Sequence, residues 1–170
     1  GGGRGIRVVS ESGVLGDAIG QARAEAEAAF GNGDLYAEAW QPGRHVEVQI
    51  VGADGAYASL GTVDCSLQRH HQKLVDLAPA PGLDASVAAD LEGAAVRIAE
   101  AMDLSSAATV EFLVGADGHW IFMEVNARLE VEHTVTEAVT GVDLVQAQLR
   151  IADGASLDAL GLAGGIAPRG

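Results

Sequence analysis

The chain has 170 residues, a mass of 17.3 kDa and a formal charge of −14, from 24 acidic and 10 basic side chains. That is room for one ordinary domain or two small lobes, and the charge argues against a broad nucleic-acid surface while leaving scope for a small anion gripped at one place. Hydrophobic residues make up 48% and aromatics 4%, so the core must come from Ala, Val, Leu and Ile; no apolar run reaches the roughly 18–20 residues that span a bilayer, and the single cysteine, Cys65, forms no intrachain disulfide, which together predict a soluble cytoplasmic protein. The first five residues, Gly-Gly-Gly-Arg-Gly, read as a loop. Residues 6–9 are predicted as a strand. Residues 14–30 are predicted as a helix with Val14, Leu15, Ile19, Ala22, Ala26 and Phe30 at helical spacing, stopped by Gly31-Asn32-Gly33. Residues 35–40 form a short predicted strand.

Residues 45–51 alternate, with Val46, Val48 and Ile50 on one side and Glu47 and Gln49 on the other. Ala53-Asp54-Gly55 marks a turn and residues 57–63 the return strand. Residues 64–73 are polar and without period, which predicts a loop or a loop-like strand end. Residues 79–82 are a further break. Residues 86–102 predict a second amphipathic helix, with Val87, Leu91, Ala94, Ala95, Ile98 and Met102 as its buried stripe. Residues 107–114 and 119–125 predict a hairpin around Gly115-Ala116-Asp117-Gly118. Residues 126–133 are irregular and charged, 134–139 and 143–152 read as short helices, and from 153 onward a Gly- and Ala-rich connection follows. The order predicts an α+β (or α/β) fold with antiparallel sheets.

Three places carry chemistry. The only lysine, Lys73, closes the basic run Gln68-Arg69-His70-His71-Gln72-Lys73, a solvated loop or a place where an anion would settle. In the hairpin, pairing Val114 with His119 sets Glu111 opposite Phe122 and makes Glu124 its diagonal neighbour, on a face shared with Trp120, Phe122 and Asn126. Two carboxylates and an amide oxygen suit Mg²⁺ or Mn²⁺; salt bridges to arginine, or exposure at a sheet edge, are the alternative. The charged segment 126–133 offers Arg128 as a planar fork for an oxyanion and Glu132 as a general base, with His133 read as structural. The glycine-rich opening has the character of a phosphate-cradling loop but lacks the spacing of a Walker or dinucleotide motif.

Taken together these segments resemble biotin carboxylase, a member of the ATP-grasp superfamily. The stretches are GGGRGIRVV at 1–9, RHVEVQ at 44–49, DCSLQRHHQK at 64–73, APAPG at 78–82, EFL at 111–113, MEVNARLEVEH at 123–133 and VTEAVTGVDLVQAQLRIA at 135–152. The resemblance implies an ATP-grasp fold with a lid subdomain portion at 1–63, a central antiparallel-sheet lobe at 64–152 and a connection at 153–170, within a longer polypeptide. It implies the first half-reaction of a biotin-dependent carboxylase of acyl-CoA (acetyl- or propionyl-CoA) type. In that reaction ATP and bicarbonate give carboxyphosphate, which carboxylates biotin on a carrier domain.

By the same resemblance Glu111, Glu124 and Asn126 hold Mg²⁺ or Mn²⁺, the two glutamates also facing ATP. Gly1, Gly2, Gly3 and Gly5 close on the ATP phosphates, and Glu38, His45, Gln68 and His71 meet the nucleotide. Lys73, Arg128 and the Val131 backbone hold bicarbonate, and Glu132 deprotonates it. The implied partners are a biotin carboxyl carrier domain, a carboxyltransferase and further copies of the parent protein, with no nucleic acid and no membrane. Ala39 stands where the family has lysine, the 40–44 link is one residue short, Thr134 replaces proline and Glu130 replaces glutamine. The Glu130 side chain is therefore expected to point away from the anion. A carbamoyl-phosphate-type ligase and a non-catalytic assembly domain are the competing readings; retained Glu111, Glu124, Arg128 and Glu132 oppose the second.

Overall fold

The computed structural model describes residues 5–70, 72–164 and 166, and its contacts divide the chain into two units, 1–41 with 70–72 and 42–69 with 73–170. The first unit holds one long helix, α1 (Leu15–Phe30), entered through a single 3₁₀ turn at Ser12–Val14. Gly31 ends it in the left-handed conformation at φ 71°, donating to the Glu27 carbonyl, the stop its sequence promises. Of the predicted stripe only Ala22 and Ala26 are buried; Val14, Leu15, Ile19 and Phe30 are exposed. The segments expected as strands at 6–9 and 35–40 form no ladder. Strand propensity describes fit to a pleated surface, and neither segment has a neighbouring strand to supply one.

In the second unit, among the described residues, five strands form one sheet in the order β3-β2-β1-β4-β5. They are β1 (Arg44–Ala53), β2 (Ala56–Arg69), β3 (Gln72–Leu77), β4 (Ser106–Val114) and β5 (Trp120–Asn126). β1 is central and antiparallel to both β2 and β4, with Glu47 opposite Val63 on one side and Glu111 on the other. One face is apolar along its length: Val46, Val48, Ile50, Val110, Phe112 and Val114 pack on Leu91, Ala94, Ala95 and Ala99 of helix α2 (Ala85–Ala101). Asp84 caps that helix by accepting from the Ser86 N–H. Val87 and Ile98 of the expected stripe are half-buried, and Met102 is exposed.

The opposite face is split. At one end Val51, Ala53, Ala58, Leu60 and Ala107 meet Leu144 and Ile151 of α4 (Leu144–Ala152) and Leu157 of the four-residue α5 (Leu157–Leu160). The presumed connection after 153 thus contributes Leu157 and Leu162 to a core. At the other end the face carries His45, Glu47 and Glu111. Because both faces of β1 are covered, the alternation of 45–51 is not an in–out alternation: Glu47 and Gln49 are as buried as their valine neighbours.

Two further expectations change. Of the two alternatives for 64–73, residues 64–69 take the strand end, continuing β2, and β3 follows; Asp64 pairs with Arg44 and Gln68 bonds His45, while Ser66, Leu67 and Arg69 are exposed. The expected boundary between 63 and 64 therefore falls inside a continuous strand. In the second hairpin Val114 pairs with Trp120 and Phe112 with Phe122, but Glu111 pairs directly with Glu124. Met123 is the extra residue of a β-bulge. It lets Trp120 and Phe122 stack edge-on against Phe112, with centroids 5.3 and 6.3 Å away, while Glu124 turns to the other face. The expected grouping of Glu124 among aromatics is corrected by that one residue. No helix among the described residues is long and apolar enough to cross a membrane.

Candidate active site

The charged end of the second face is built from five pieces of chain: β1, the ends of β2 and β3, β4 and the segment running from β5 into helix α3 (His133–Thr140). Lys73 is its centre. Its Nζ lies 2.6 Å from Glu132 Oε1 and pairs with Glu47 Oε1, with Glu130 Oε2 and Glu111 Oε1 further out at 3.7 and 3.8 Å. The Glu47 and Glu132 side chains are 0% and 4% exposed. Two carboxylates so enclosed persist as charges only beside a cation.

Their proton affinities diverge. Burial pushes Glu47 up to about 7 against the pull of His45 and Lys73. Burial acts the same way on Glu132, but hydrogen bonds from Glu47 and Lys73, and the charge of Lys73, outweigh it and hold the group down at about 2. Lys73 is driven above the usual lysine range, because its two carboxylate partners outweigh its burial.

His45 connects this cage to the second hairpin. Its Nε2 lies 2.7 Å from Glu111 Oε2 and 3.1 Å from Glu47 Oε1. Burial opposes charging the ring, yet the two carboxylates carry it up to about 9. On the other side the Gln68 amide donates to the Cys65 carbonyl at 2.8 Å and to His45 Nδ1 at 2.7 Å. Protonating Nδ1 would break that last bond, so Gln68 favours the neutral ring and the carboxylates favour the cation. Arg44 stands apart, its guanidinium on Asp64 Oδ2 at 2.9 and 2.5 Å, where it ties β1 to β2.

Glu111, Glu124 and Asn126 are brought together as the sequence suggests. The Asn126 amide nitrogen donates to Glu111 Oε1 at 2.8 Å and to Glu124 Oε1 at 3.3 Å, bridging the two carboxylates as a cation would. Its oxygen accepts from Arg128 Nη1 at 2.8 Å. Converging carboxylate oxygens with a neutral amide between them fit a hard divalent cation, with the amide turned to present its oxygen. Among the described residues two other groups bring ligand atoms within 4.8 Å of one another: His45, Glu47 and Glu111, and Glu47, Glu130 and Glu132. Lys73 already sits in the second.

Arg128 is 60% exposed and pairs through Nη2 with Glu130 Oε1 at 2.6 Å. Glu130 therefore points toward Arg128 and Lys73, against expectation; burial and the neighbouring Glu132 nonetheless raise its pKa against the pull of the two cations. Val131 is exposed beside it, and His133 Nδ1 lies 2.7 Å from the Glu130 carbonyl, a contact that shapes the turn into α3. Gly5 and the exposed Glu38 belong to the first unit. Gly1, Gly2, Gly3 and His71 lie outside the described residues.

Glu47 is the residue that sequence reasoning missed. The available signal was a glutamate and a glutamine on one side of a strand whose other side is valine, which becomes informative once that strand is known to be central.

Residues 1–160 match the family described as carbamoyl-phosphate synthase L chain, ATP binding domain. Among relatives, pyruvate carboxylase 1 of Caenorhabditis elegans is 51% identical over 164 residues, 95% of this chain and 14% of the relative. The mitochondrial pyruvate carboxylase of Homo sapiens is 49% identical over the same share. Among solved structures, the Campylobacter jejuni biotin carboxylase–β-γ-ATP complex aligns with a TM-score of 0.89 at 42% identity, over 92% of this chain and 36% of that one. The biotin carboxylase domain of Hydrogenobacter thermophilus 2-oxoglutarate carboxylase, holding MgADP and bicarbonate, aligns at 0.87 and 42%, over 92% and 35%. The chain thus spans about a seventh of those curated relatives and about a third of those solved domains. Acyl-CoA carboxylation, expected from the sequence, has no support in these pyruvate carboxylases. The chain belongs to the carbamoyl-phosphate synthase L chain ATP-binding family, as part of an ATP-grasp biotin carboxylase domain.

Proposed function

We propose that the protein carrying this chain carboxylates carrier-bound biotin with ATP and bicarbonate, and that the cage around Lys73 is where bicarbonate is held and deprotonated. The observation that carries this reading is a lysine ammonium shared by two enclosed carboxylates, with a guanidinium at the rim. Lys73, Arg128 and the Val131 backbone hold the anion. Glu132 takes its proton, and the freed oxygen attacks the γ-phosphorus of ATP, expelling ADP. Glu111, Glu124 and Asn126 hold Mg²⁺ or Mn²⁺, which when bound neutralises phosphate charge. His45 and Gln68 lie on the nucleotide side, with His71, Glu38 and the glycines Gly1, Gly2, Gly3 and Gly5 as further ATP contacts and the first unit as a portion of the lid.

Before substrate arrives Glu132 is a weak base, because Glu47 and Lys73 together hold it near 2. An anion that draws Lys73 toward itself releases Glu132 and raises its basicity where a proton must be accepted. The base is thereby strengthened by the substrate it serves.

A biotin carrier domain and a carboxyltransferase complete the cycle in this reading, in a cytoplasmic homo-oligomer, although the human relative is named as mitochondrial. Pyruvate is the favoured final acceptor, because the curated relatives are pyruvate carboxylases. In the full-length protein, phosphate release from ATP should require both bicarbonate and biotin. Glu132→Gln should lower that turnover by about 10²–10⁴-fold, with KM for ATP nearly unchanged. Full turnover in the variant would remove Glu132 as the base.

A further inference from the structure

Glu130 is placed where the substrate of the proposed reaction would have to go. Its Oε1 lies 2.6 Å from Arg128 Nη2 and its Oε2 lies 3.7 Å from Lys73 Nζ, so one planar carboxylate spans both cations. Bicarbonate has the same O–C–O unit and the same charge. The other terminal nitrogen of Arg128 is also engaged, donating to Asn126 Oδ1 at 2.8 Å. A bidentate oxyanion therefore meets a bonded group at each terminal nitrogen of the guanidinium. Lys73 is likewise occupied by Glu132 and Glu47.

We infer that Glu130 is an internal competitor for the anion site, a carboxylate that a small oxyanion such as bicarbonate must displace from Arg128 and Lys73. The inference rests on the proposed role of those two cations as the anion clamp. Displacement is feasible because the pair opens toward solvent: Arg128 is 60% exposed, and pairs of that kind are worth little in water. Glu130 itself is 14% exposed and sits beside the carboxylate of Glu132, which repels it. The competitor is held firmly enough to fill the site and loosely enough to leave. Its effect falls on bicarbonate affinity, since ATP meets other residues.

The test uses the full-length protein. KM for bicarbonate and KM for ATP are measured in biotin-dependent phosphate release for wild type, Glu130→Gln and Glu130→Ala. Glutamine keeps the shape and removes the charge; alanine removes the competitor. Both should lower KM for bicarbonate by about twofold to tenfold, the range an exposed ion pair supports, with KM for ATP as the fixed reference. An unchanged or higher KM for bicarbonate in either variant overturns the inference. So does loss of turnover in both, because a competitor is dispensable. Wild-type protein without bicarbonate-dependent turnover overturns the proposed function instead, and this inference with it.

Discussion

Glu132 has a carboxyl held near 2 against an ordinary 4.5, and the sign of its contribution to stability follows. Folding favours its charged form, so its contribution is complete above pH 4.5 and is lost as pH falls toward 2. Glu132→Gln has no such group to protonate. In urea unfolding of the 170-residue chain at stepped pH, the wild-type stability relative to Glu132→Gln should shrink steadily over that window; a constant difference would mean that Glu47 and Lys73 do not hold the Glu132 carboxylate charged. At this scale the sequence was legible where residue type alone announces chemistry: Lys73 as the sole lysine, Glu132 and Arg128 in an aperiodic charged run, Glu111 with Glu124. It was illegible for Glu47 and Glu130. Whether a glutamate on a strand or in a turn faces water or a lysine is decided by chain segments dozens of residues away.

The elements repeat that lesson in their own terms. Helices α2 and α4, the turn at Ala53-Asp54-Gly55 and the hairpin around 115–118 follow from periodicity and local stop signals, and each was readable. The Met123 bulge was not, because Trp120, Phe122 and Glu124 have the spacing of a regular strand; only the competing demands of the Phe112 packing and the carboxylate pair show that they face opposite ways. The two lost strands, 6–9 and 35–40, failed for the converse reason: they carry strand-forming residues and no neighbour. Close approach adds a constraint that no pattern displays. At Gly52 a Cβ atom would sit 2.2 Å from the Leu104 carbonyl oxygen, so the strand and the turn after α2 touch backbone to backbone. Gly52→Ala should therefore cost about 1–3 kcal/mol, the scale of overpacking, read as a lowered denaturation midpoint with an unchanged m-value. A midpoint within error of wild type would show that the two segments separate without cost.

For the molecule as a whole, the divided contacts matter more than any single element. The second unit has apolar cores on both faces of its sheet, whereas the first buries only two alanines of its helix. The chain also spans 36% of the Campylobacter jejuni biotin carboxylase. Orientation of two reactants is unforgiving, and displacement by about 1 Å can cost on the order of 10²-fold. The 170-residue chain alone, given ATP, Mg²⁺, bicarbonate and free biotin, should accordingly release no biotin-dependent phosphate. Clear release would mean that the carboxylate and cation cluster is self-sufficient. The fold class and the family were legible over nearly the full length, because the motifs recur in order. The division into units was not, since a strand crossing position 63/64 leaves no mark in composition.

The enclosure of Lys73 also makes the chain a one-site reporter in amine chemistry. With a single lysine in 170 residues, an acylating reagent has one side-chain target, and any second adduct by mass belongs to the chain's own amino terminus. Acylation requires the neutral amine, and Glu132 and Glu47 keep this one protonated. Labelling of the folded protein should be slow, and it should accelerate whenever the cage loosens. The rate at which one mass increment appears thus reads the integrity of the cluster directly, without substrate and without turnover.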